Sequence, residues 1–438
     1  MKRELIACYF GSDQALHTHV GHKESNSMVT TGLSGVLVYG PYIALDAGVY
    51  SIKIYGKSQF IGESFCDVAV DGGGQILITQ PIQKIDMHPQ YSVLLWEQSV
   101  MLDQPHQNVE VRVYVDENCQ LSVEKIEIIK IVPADFAFVN VSHEKDLKWS
   151  SVLYRSWEKF VYPKREFYLI IPERELTSFS SHFYKLKSEK IISEIPIILS
   201  EESIFSAARI TIPTYFGGWH VQQTLKLCFA KSGMADNYIT IDSATIFTKT
   251  LDYYKEFFRD GKIVTSARAH DRAERNTYYR SIGENGWLNG SLVNISECFE
   301  KIEHLFGNET GAVYHNIGET NFFSSRLLLE LEEWAYRHGF NGFVGLIEFI
   351  PLEPTWYGSF VANIKNDLFM PRDPDLTQPC LDEECLKAIN DGDFLVGDRF
   401  LGVRFQAPTS ELADPEKIYS KLVGCNPNNS LEMRDTVV

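Results

Sequence analysis

The stretch Asn237-Tyr-Ile-Thr-Ile-Asp-Ser-Ala-Thr-Ile-Phe247 is a short β-branched run that ends abruptly in polar residues. Tyr238 to Ile241 have the composition of a strand. Asp242, Ser243 and Thr245 fall where that strand runs out at a sheet edge. Open α/β sheets bind their ligands outside the carboxyl ends of the strands. A carboxylate there can hold a divalent cation, and the cation can hold a phosphate. Ala244 stands where a metal–phosphate site is expected to carry a second carboxylate.

Upstream, Glu166-Phe-Tyr-Leu-Ile-Ile-Pro172 reads as a buried strand stopped by Pro172, with a helix starting at Glu173–Phe179. Ile195–Leu199 is a second strand, followed by Glu201 and Glu202. Trp219–Ala230 reads as a helix that leads into the strand at Tyr238. Strand, helix, strand, helix, strand is the βαβ pattern of a parallel sheet. On the helix at Trp219, a step of 100° per residue puts Val221, Leu225, Cys228 and Phe229 on the face expected against the sheet. Trp219, Gln222, Gln223 and Lys226 form the opposite stripe, which either touches a ligand or another segment or is simply solvated.

Downstream, Thr250 is placed to cap a helix over Leu251–Phe258, and Ser296 one over Glu297–Phe306 ending at Gly307. Ser324 or Ser325 starts another, with Leu327, Leu331 and Trp334 in register and Gly339 as its stop. Gly286–Ser296 reads as a loop entering a short strand. Beyond Gly358 the chain is expected to be rich in loops, with Pro371, Pro374 and Pro379, then a strand at Phe400–Phe405 and a frayed tail after Asn426.

The first third follows a different period. Tyr50, Ile52 and Ile54 alternate with Ser51, Lys53 and Tyr55, and Val109, Val111, Val113 and Val115 alternate with Glu110, Arg112 and Tyr114. That is the two-residue period of strands with one apolar face. The phase slips near Lys125, which predicts a bulge or bend. Gly40-Pro41, Asp46-Ala-Gly48, Asp71-Gly-Gly-Gly74 and Asp116-Glu-Asn118 supply the turns. Short strands at this spacing predict a sandwich or jelly roll. The expected division is a β-sandwich over residues 1–135, a linker over 136–163, a mixed α/β domain over 164–425 and a flexible tail over 426–438.

With 438 residues and 44% hydrophobic content, the chain can bury more than one core. A net charge of −17 argues against general nucleic-acid binding and against a broad basic surface for anionic lipid. The apolar run at Leu5–Phe10 is too short for a signal-peptide core, and no apolar run approaches the length of a membrane-spanning helix. The 8 cysteines are scattered and read as free thiols, with Cys380 and Cys385 in a loop. These features predict a cytoplasmic protein. His17, His19 and His22 are close in sequence, but no acidic or cysteine partner accompanies them, and a polar loop is the plainer reading. The chain lacks a Gly-x-x-x-x-Gly-Lys-Ser/Thr loop, a Gly-x-Ser-x-Gly elbow, a His-Glu-x-x-His pair and a Gly-x-Gly-x-x-Gly turn after a strand.

Two resemblances add to this reading. Val38-Tyr-Gly-Pro-Tyr-Ile-Ala-Leu-Asp-Ala-Gly-Val-Tyr50 resembles β-sandwich modules found beside sugar-handling enzymes. The resemblance implies a glycan-binding surface that uses Tyr39, Tyr42 or Trp96; the alternative is that these rings fill the sandwich core. Tyr168-Leu-Ile-Ile-Pro172, Gly218-Trp-His-Val-Gln-Gln-Thr-Leu-Lys-Leu227, Tyr238–Phe247 and Glu353-Pro-Thr-Trp-Tyr-Gly358 occur in that order. Together they resemble a bacterial family of polysaccharide glycosyltransferases with the GT-A fold, many catalogued only as a domain of unknown function.

The second resemblance covers Lys164 to Gly358 and implies a nucleotide-sugar donor and a glycan or lipid-linked glycan acceptor, with work at the inner face of the cell membrane. Pro172, Trp219, Gln222, Gln223, Lys226, Asp242, Ser243, Thr245, Asn289 and Gly290 would border the donor. Asp242 would hold Mn²⁺ or Mg²⁺ on the donor pyrophosphate, with Ala244 replacing the second aspartate of the family's Asp-Ser-Asp-Thr turn. Glu353 matches the acidic residue of the family's Glu-x-x-x-Tyr-Gly pattern. It would act as the catalytic base, with an ion pair or hydrogen bond as its structural alternative and Glu348 as the competing carboxylate. A non-catalytic carbohydrate-binding or scaffold protein on a degenerate transferase fold is the other function compatible with Ala244.

Overall fold

The computed structural model describes residues 3–82, 91–259, 262–265, 268–270, 295–307, 313–315, 320–365, 367–371, 376–380, 382–405 and 409–424. Asn289, Gly290 and the tail after Asn426 lie outside the described residues. The chain divides into two compact units. The first comprises Met1–Glu144, Arg165–Tyr238 and Phe323–Glu353, and the second Lys145–Lys164, Ile239–Phe322 and Pro354–Val438.

In the first unit, strands β1 (Arg3–Phe10), β2 (Gly21–Glu24), β3 (Ser27–Thr30), β4 (Gly35–Val38), β5 (Pro41–Leu45), β6 (Gly48–Phe60), β7 (Phe65–Val70), β8 (Gln75–Pro81), β9 (Val93–Leu102), β10 (His106–Val115) and β11 (Gln120–Ile131) build two sheets. One runs β2-β3-β11-β6-β9 with β1 added on β11, and the other β4-β10-β7-β8 with β5 added on β10. The pairings of β6, β7, β10 and β11 are antiparallel, so the two-residue alternation turns Ile52, Ile54, Val111, Val113 and Ile126 into a shared core. The phase slip is real: the β11–β6 register shifts between Val123 and Lys125.

The polar face of β6 and β9 departs from expectation. Ser51 and Lys53 are buried, because helix α2 (Leu176–Ser188) and strand β15 (Ile197–Ser200) of the α/β layer cover them. Lys53 Nζ pairs with Glu97 at 3.0 Å, and Tyr184 Oη donates to the Glu97 carbonyl at 2.6 Å. Trp96 lies in the sandwich core with 0% exposure, so it belongs to no glycan surface.

The α/β layer of this unit is a sheet ordered β15-β14-β12-β16 and then strand Thr320–Ser324. Here β12 is Ala134–Val141, β14 is Glu166–Ile171 and β16 is Ala235–Ile241. β16 contributes its first four residues to this unit and Thr320–Ser324 its last two. β12, β14 and β15 pair in parallel, and every residue of β14 is buried. Such continuous apolar runs are what a strand covered on both faces requires. Helices α3 (Glu201–Ala208), α4 (Gly218–Cys228), Ser325–Arg337 and Gly342–Phe349 complete the unit.

Residues 136–163, expected as a linker, instead hold most of β12 and the helix α1 (Leu147–Phe160). Ala137 to Val141 gain a parallel ladder from Glu166 to Ile170. Glu173–Glu175 is a 3₁₀ turn, and the helix expected at Glu173 begins at Leu176.

The second unit holds α1, the end of β16, strand β17 (Thr245–Phe247), and β18 (Leu251–Asp252) followed by α5 (Tyr253–Phe257). Asp252, not Thr250, caps α5, accepting the Lys255 N–H. β17 joins a sheet of three, ordered β17, Gly402–Phe405, Thr377–Cys380. The region after Gly358 is more regular than its prolines suggest, with helices Glu383–Asp391 and Pro415–Gly424. Cys380 ends a strand, Cys385 lies in the helix Glu383–Asp391, and a disulfide joins them, in place of the free thiols in a loop expected from sequence. Proximity set by the fold, not spacing, pairs them.

Truncating the core indole in Trp96→Ala is expected to cost about 3–5 kcal/mol. The half-exposed Tyr42→Ala should cost under about 1 kcal/mol. Urea denaturation of both variants checks the assignment of Trp96 to the core.

Candidate functional site

β16 carries four consecutive buried residues, Tyr238 to Ile241, and its ladder stops where Asp242 follows. The chain turns through Asp242–Ala244 and enters a second sheet, the one of three strands, as β17. Asp242 and Ala244 are half-buried, whereas Ser243 and Thr245 point inward. Within the second unit the turn is fixed from two sides. Ser150 Oγ of α1 donates to Ser243 Oγ at 3.2 Å, and the Ala244 carbonyl accepts the Phe405 N–H at 2.8 Å. Further along α1, Ser156 Oγ accepts the Phe247 N–H at 3.0 Å.

The next residues lock the register. Thr245 stands opposite Arg404 and Phe247 opposite Gly402 in an antiparallel ladder. A Cβ at residue 402 would run into the Ile246 carbonyl, so this close approach requires glycine. The neighbours that hold the turn, Ser150 and Gly402–Phe405, lie far away in sequence. The strand at Phe400–Phe405 is visible as a hydrophobic run, but its pairing partner is not.

The donor set at the turn does not fit a resident Mn²⁺ or Mg²⁺. Asp242 is the single carboxylate of the turn, Ala244 offers a methyl group, and the Ser243 hydroxyl is engaged with Ser150. Among the described residues no group of three or more His, Cys, Asp and Glu side chains is placed to hold a metal. Oxygen-seeking cations of this kind need several such ligands.

A second polar cluster belongs to the first unit and gathers four residues singled out from sequence. Lys226 Nζ of α4 lies 3.3 Å from Glu353 Oε1, with side chains 6% and 1% exposed. The Gln223 amide, oriented to match its neighbours, donates to both Glu353 oxygens, at 3.1 Å to Oε1. Its own oxygen accepts the Trp219 indole N–H at 3.1 Å. Gln222 Nε2 donates to the Val141 carbonyl at the end of β12, at 3.3 Å. The polar stripe of α4 therefore meets another segment and a strand end. The helix is buried on more of its circumference than the apolar residues alone indicate, because Glu353 supplies the partner that a buried lysine needs.

The other assigned residues are separately placed. Pro172 ends β14 and precedes the turn Glu173–Glu175. Glu348 is exposed and accepts the Tyr215 hydroxyl at 2.5 Å. Asn289 and Gly290 lie outside the described residues. On the sandwich, Tyr39 and Tyr42 do come together. The His17 ring lies 5.4 Å from Tyr39 and 6.4 Å from Tyr42, and His19 lies 4.7 Å from Tyr39. Tyr42 is 40% exposed, with a φ of 61° that side chains rarely adopt. His22 is apart from this group, at the surface beside Glu24.

Removing one member of a buried ion pair strands the other. Lys226→Met is expected to lower stability by about 3–5 kcal/mol, seen as an earlier urea midpoint with an unchanged slope. The double variant Lys226→Met/Glu353→Met should recover much of that loss.

No curated protein matches the chain. Among solved structures, mouse xyloside xylosyltransferase 1 in its apo form is 11% identical, with a TM-score of 0.33, covering 63% of this chain and 99% of its own. The galactosyltransferase LgtC, in complex with donor and acceptor sugar analogues, is 8% identical with a TM-score of 0.34, covering 67% and 98%. A carbohydrate-binding module of Cellvibrio mixtus lichenase 5A, in complex with cellotriose, is 14% identical with a TM-score of 0.22, covering 29% and 98%. Residues 124–284 match the model of a family of unknown function, DUF6492.

Proposed function

We propose that the chain is a glycosyltransferase that moves a sugar from a nucleotide-sugar donor to a glycan acceptor in bacterial surface polysaccharide synthesis. The observation that carries this reading is the Asp242–Thr245 turn. It is a rigid strand end that presents one half-buried carboxylate where an α/β sheet receives its ligand. The transfer separates a nucleoside diphosphate from the anomeric carbon, so the donor site must stabilise the charge on the departing diphosphate. Asp242 and the Ser243–Thr245 backbone line the donor in this proposal. Among the described residues no helix is long and apolar enough to cross a membrane, and a lipid-linked acceptor would be met at the cytoplasmic face of the cell membrane.

The acceptor hydroxyl must lose a proton as it attacks. Glu353 is the carboxylate we offer for that step, with Lys226 and Gln223 fixing its orientation. The same contacts are those of an anchor, and one substitution separates the two roles. Glu353→Gln in a general base should lower kcat by about 10²–10⁴-fold with little change in melting temperature. In an anchor it should lower the melting temperature and leave the turnover of the folded fraction unchanged.

A second reading, a carbohydrate-binding or scaffold protein on a transferase fold, is favoured by Ala244 together with the exposed His17 and Tyr42 rings beside the half-buried Tyr39. Titration calorimetry with a panel of nucleoside diphosphates, on the wild-type chain and on Ala244→Asp with Mn²⁺, distinguishes the two. The transferase reading expects binding by at least one of the two chains. Silence from both, with glycan binding that disappears in Tyr42→Ala, would sink it.

A further inference from the structure

We propose that the Cys380–Cys385 pair is a thiol–disulfide switch that sets how firmly the Asp242 turn is held. The bond joins the last residue of the strand Thr377–Cys380 to the first turn of the helix Glu383–Asp391. The two cysteines are 5 residues apart in sequence. A loop that short constrains the unfolded chain little, so the bond acts locally, on the strand end it ties down, and not as a staple of the whole fold. Among the described residues Cys8, Cys66, Cys119, Cys228 and Cys298 remain thiols, so this bond is no part of a disulfide framework.

The tied strand end is one rung from the turn. Cys380 stands beside Phe405 in the parallel ladder, and Phe405 donates its N–H to the Ala244 carbonyl at 2.8 Å. Disulfide, Cys380, Phe405 and Ala244 are thus consecutive contacts within the second unit. The other end of these strands is held without the bond. There the Leu401 N–H reaches the Leu376 carbonyl at 2.7 Å, and the Leu401 carbonyl accepts the N–H groups of Thr248 and Lys249. At the Phe405 end, Pro379 has no N–H to offer, and Cys380 is the last paired residue. A strand terminus with few rungs opens at the least cost. The disulfide anchors this one to a helix whose Leu386 and Ile389 are buried. Opening the bond therefore loosens the hydrogen bond that fixes Ala244, and with it the placement of Asp242. The Phe405 ring stays 5.1 Å from Trp149 of α1, which confines the change to the strand end.

The exchange chemistry is that of a small thiol such as glutathione. Cys380 is fully buried and Cys385 half-buried, so a solution thiol reaches Cys385. A glutathione thiolate attacks Cys385 Sγ, the S–S bond breaks, and Cys380 leaves as a thiolate that takes up a proton. A second glutathione thiolate attacks the glutathione sulfur of the mixed disulfide, and Cys385 leaves and is protonated in turn. Two electrons reduce the protein disulfide, and the two glutathiones depart as their own disulfide. The reverse sequence closes the bond. Asp382 accepts the Cys385 N–H at 2.8 Å, so the helix keeps its cap when the sulfurs part.

The test follows amide hydrogen exchange in the full chain, equilibrated in glutathione disulfide or in reduced glutathione. Denaturing alkylation and mass spectrometry report the state of each cysteine. The Cys380–Cys385 cross-link should be present in the first buffer and absent in the second. Reduction should speed exchange across residues 242–247 and 402–405 by about tenfold or more and leave β14 of the first unit unchanged. Cys385→Ser, at the half-buried position, should exchange at the reduced rate in both buffers. Three results overturn the inference: the cross-link never forms, the two wild-type states exchange within about twofold of each other at both segments, or Cys385→Ser still responds to the buffer. Should Cys385→Ser not fold, the two wild-type measurements decide alone. No ligand is added, so the outcome is independent of whether the turn binds a nucleoside diphosphate.

Discussion

The ion pair between Lys226 and Glu353 is the constraint on which the first unit depends most. Two charges have been taken out of water, and each is tolerated only because the other is 3.3 Å away and Gln223 meets the remaining carboxylate valence. The pair joins the middle of α4 to a segment more than a hundred residues later in the chain. Around it, the Tyr238 hydroxyl donates to the Lys226 carbonyl at 2.6 Å and Gln222 reaches the end of β12. A well-packed apolar cluster could hold the same elements together at lower desolvation cost. What the polar version adds is direction, because a lysine, an amide and a carboxylate fit in only one arrangement.

The same logic operates where the sandwich meets the α/β layer of the first unit. Strands β6 and β9 are amphipathic by sequence, yet their polar face is buried. Lys53 and Glu97 satisfy each other, and Ser180 Oγ donates to Gln98 at 3.2 Å. Polar pairs inside an intramolecular junction tolerate little sliding, since a displaced partner leaves a buried charge uncompensated. The sandwich and the parallel sheet therefore behave as one body within this unit, although their sequences have different periods.

In the second unit, the strand end at Asp242 is held by segments distant in sequence. The hydroxyl of Ser150, the Phe405 N–H and the pairing of Thr245 with Arg404 hold the turn. They come from two elements, α1 and the strand Gly402–Phe405, so the geometry of the turn depends on both. That dependence explains why the site reads incompletely from sequence. Asp242, Ser243 and Thr245 advertise themselves by following a β-branched run, whereas Ser150 sits in a stretch that looks like a linker and Arg404 in an unremarkable strand.

Periodicity by itself determined the sandwich, its bulge near Lys125, the buried strand ending at Pro172, the helix α4 and the strand end at Asp242. All of these follow from local alternation, propensity and turn chemistry, which act over a few residues. Tertiary structure alone decided that residues 136–163 contribute a sheet strand and a helix, that Trp96 is core while Tyr42 is surface, and that the polar stripe of α4 is buried. It also decided that Glu353 lies in an ion pair and that Arg404 stands opposite Thr245. The physical reason is common to these cases. Whether a polar or aromatic side chain is solvated or buried depends on partners brought by distant segments, and local sequence carries no information about which partner arrives.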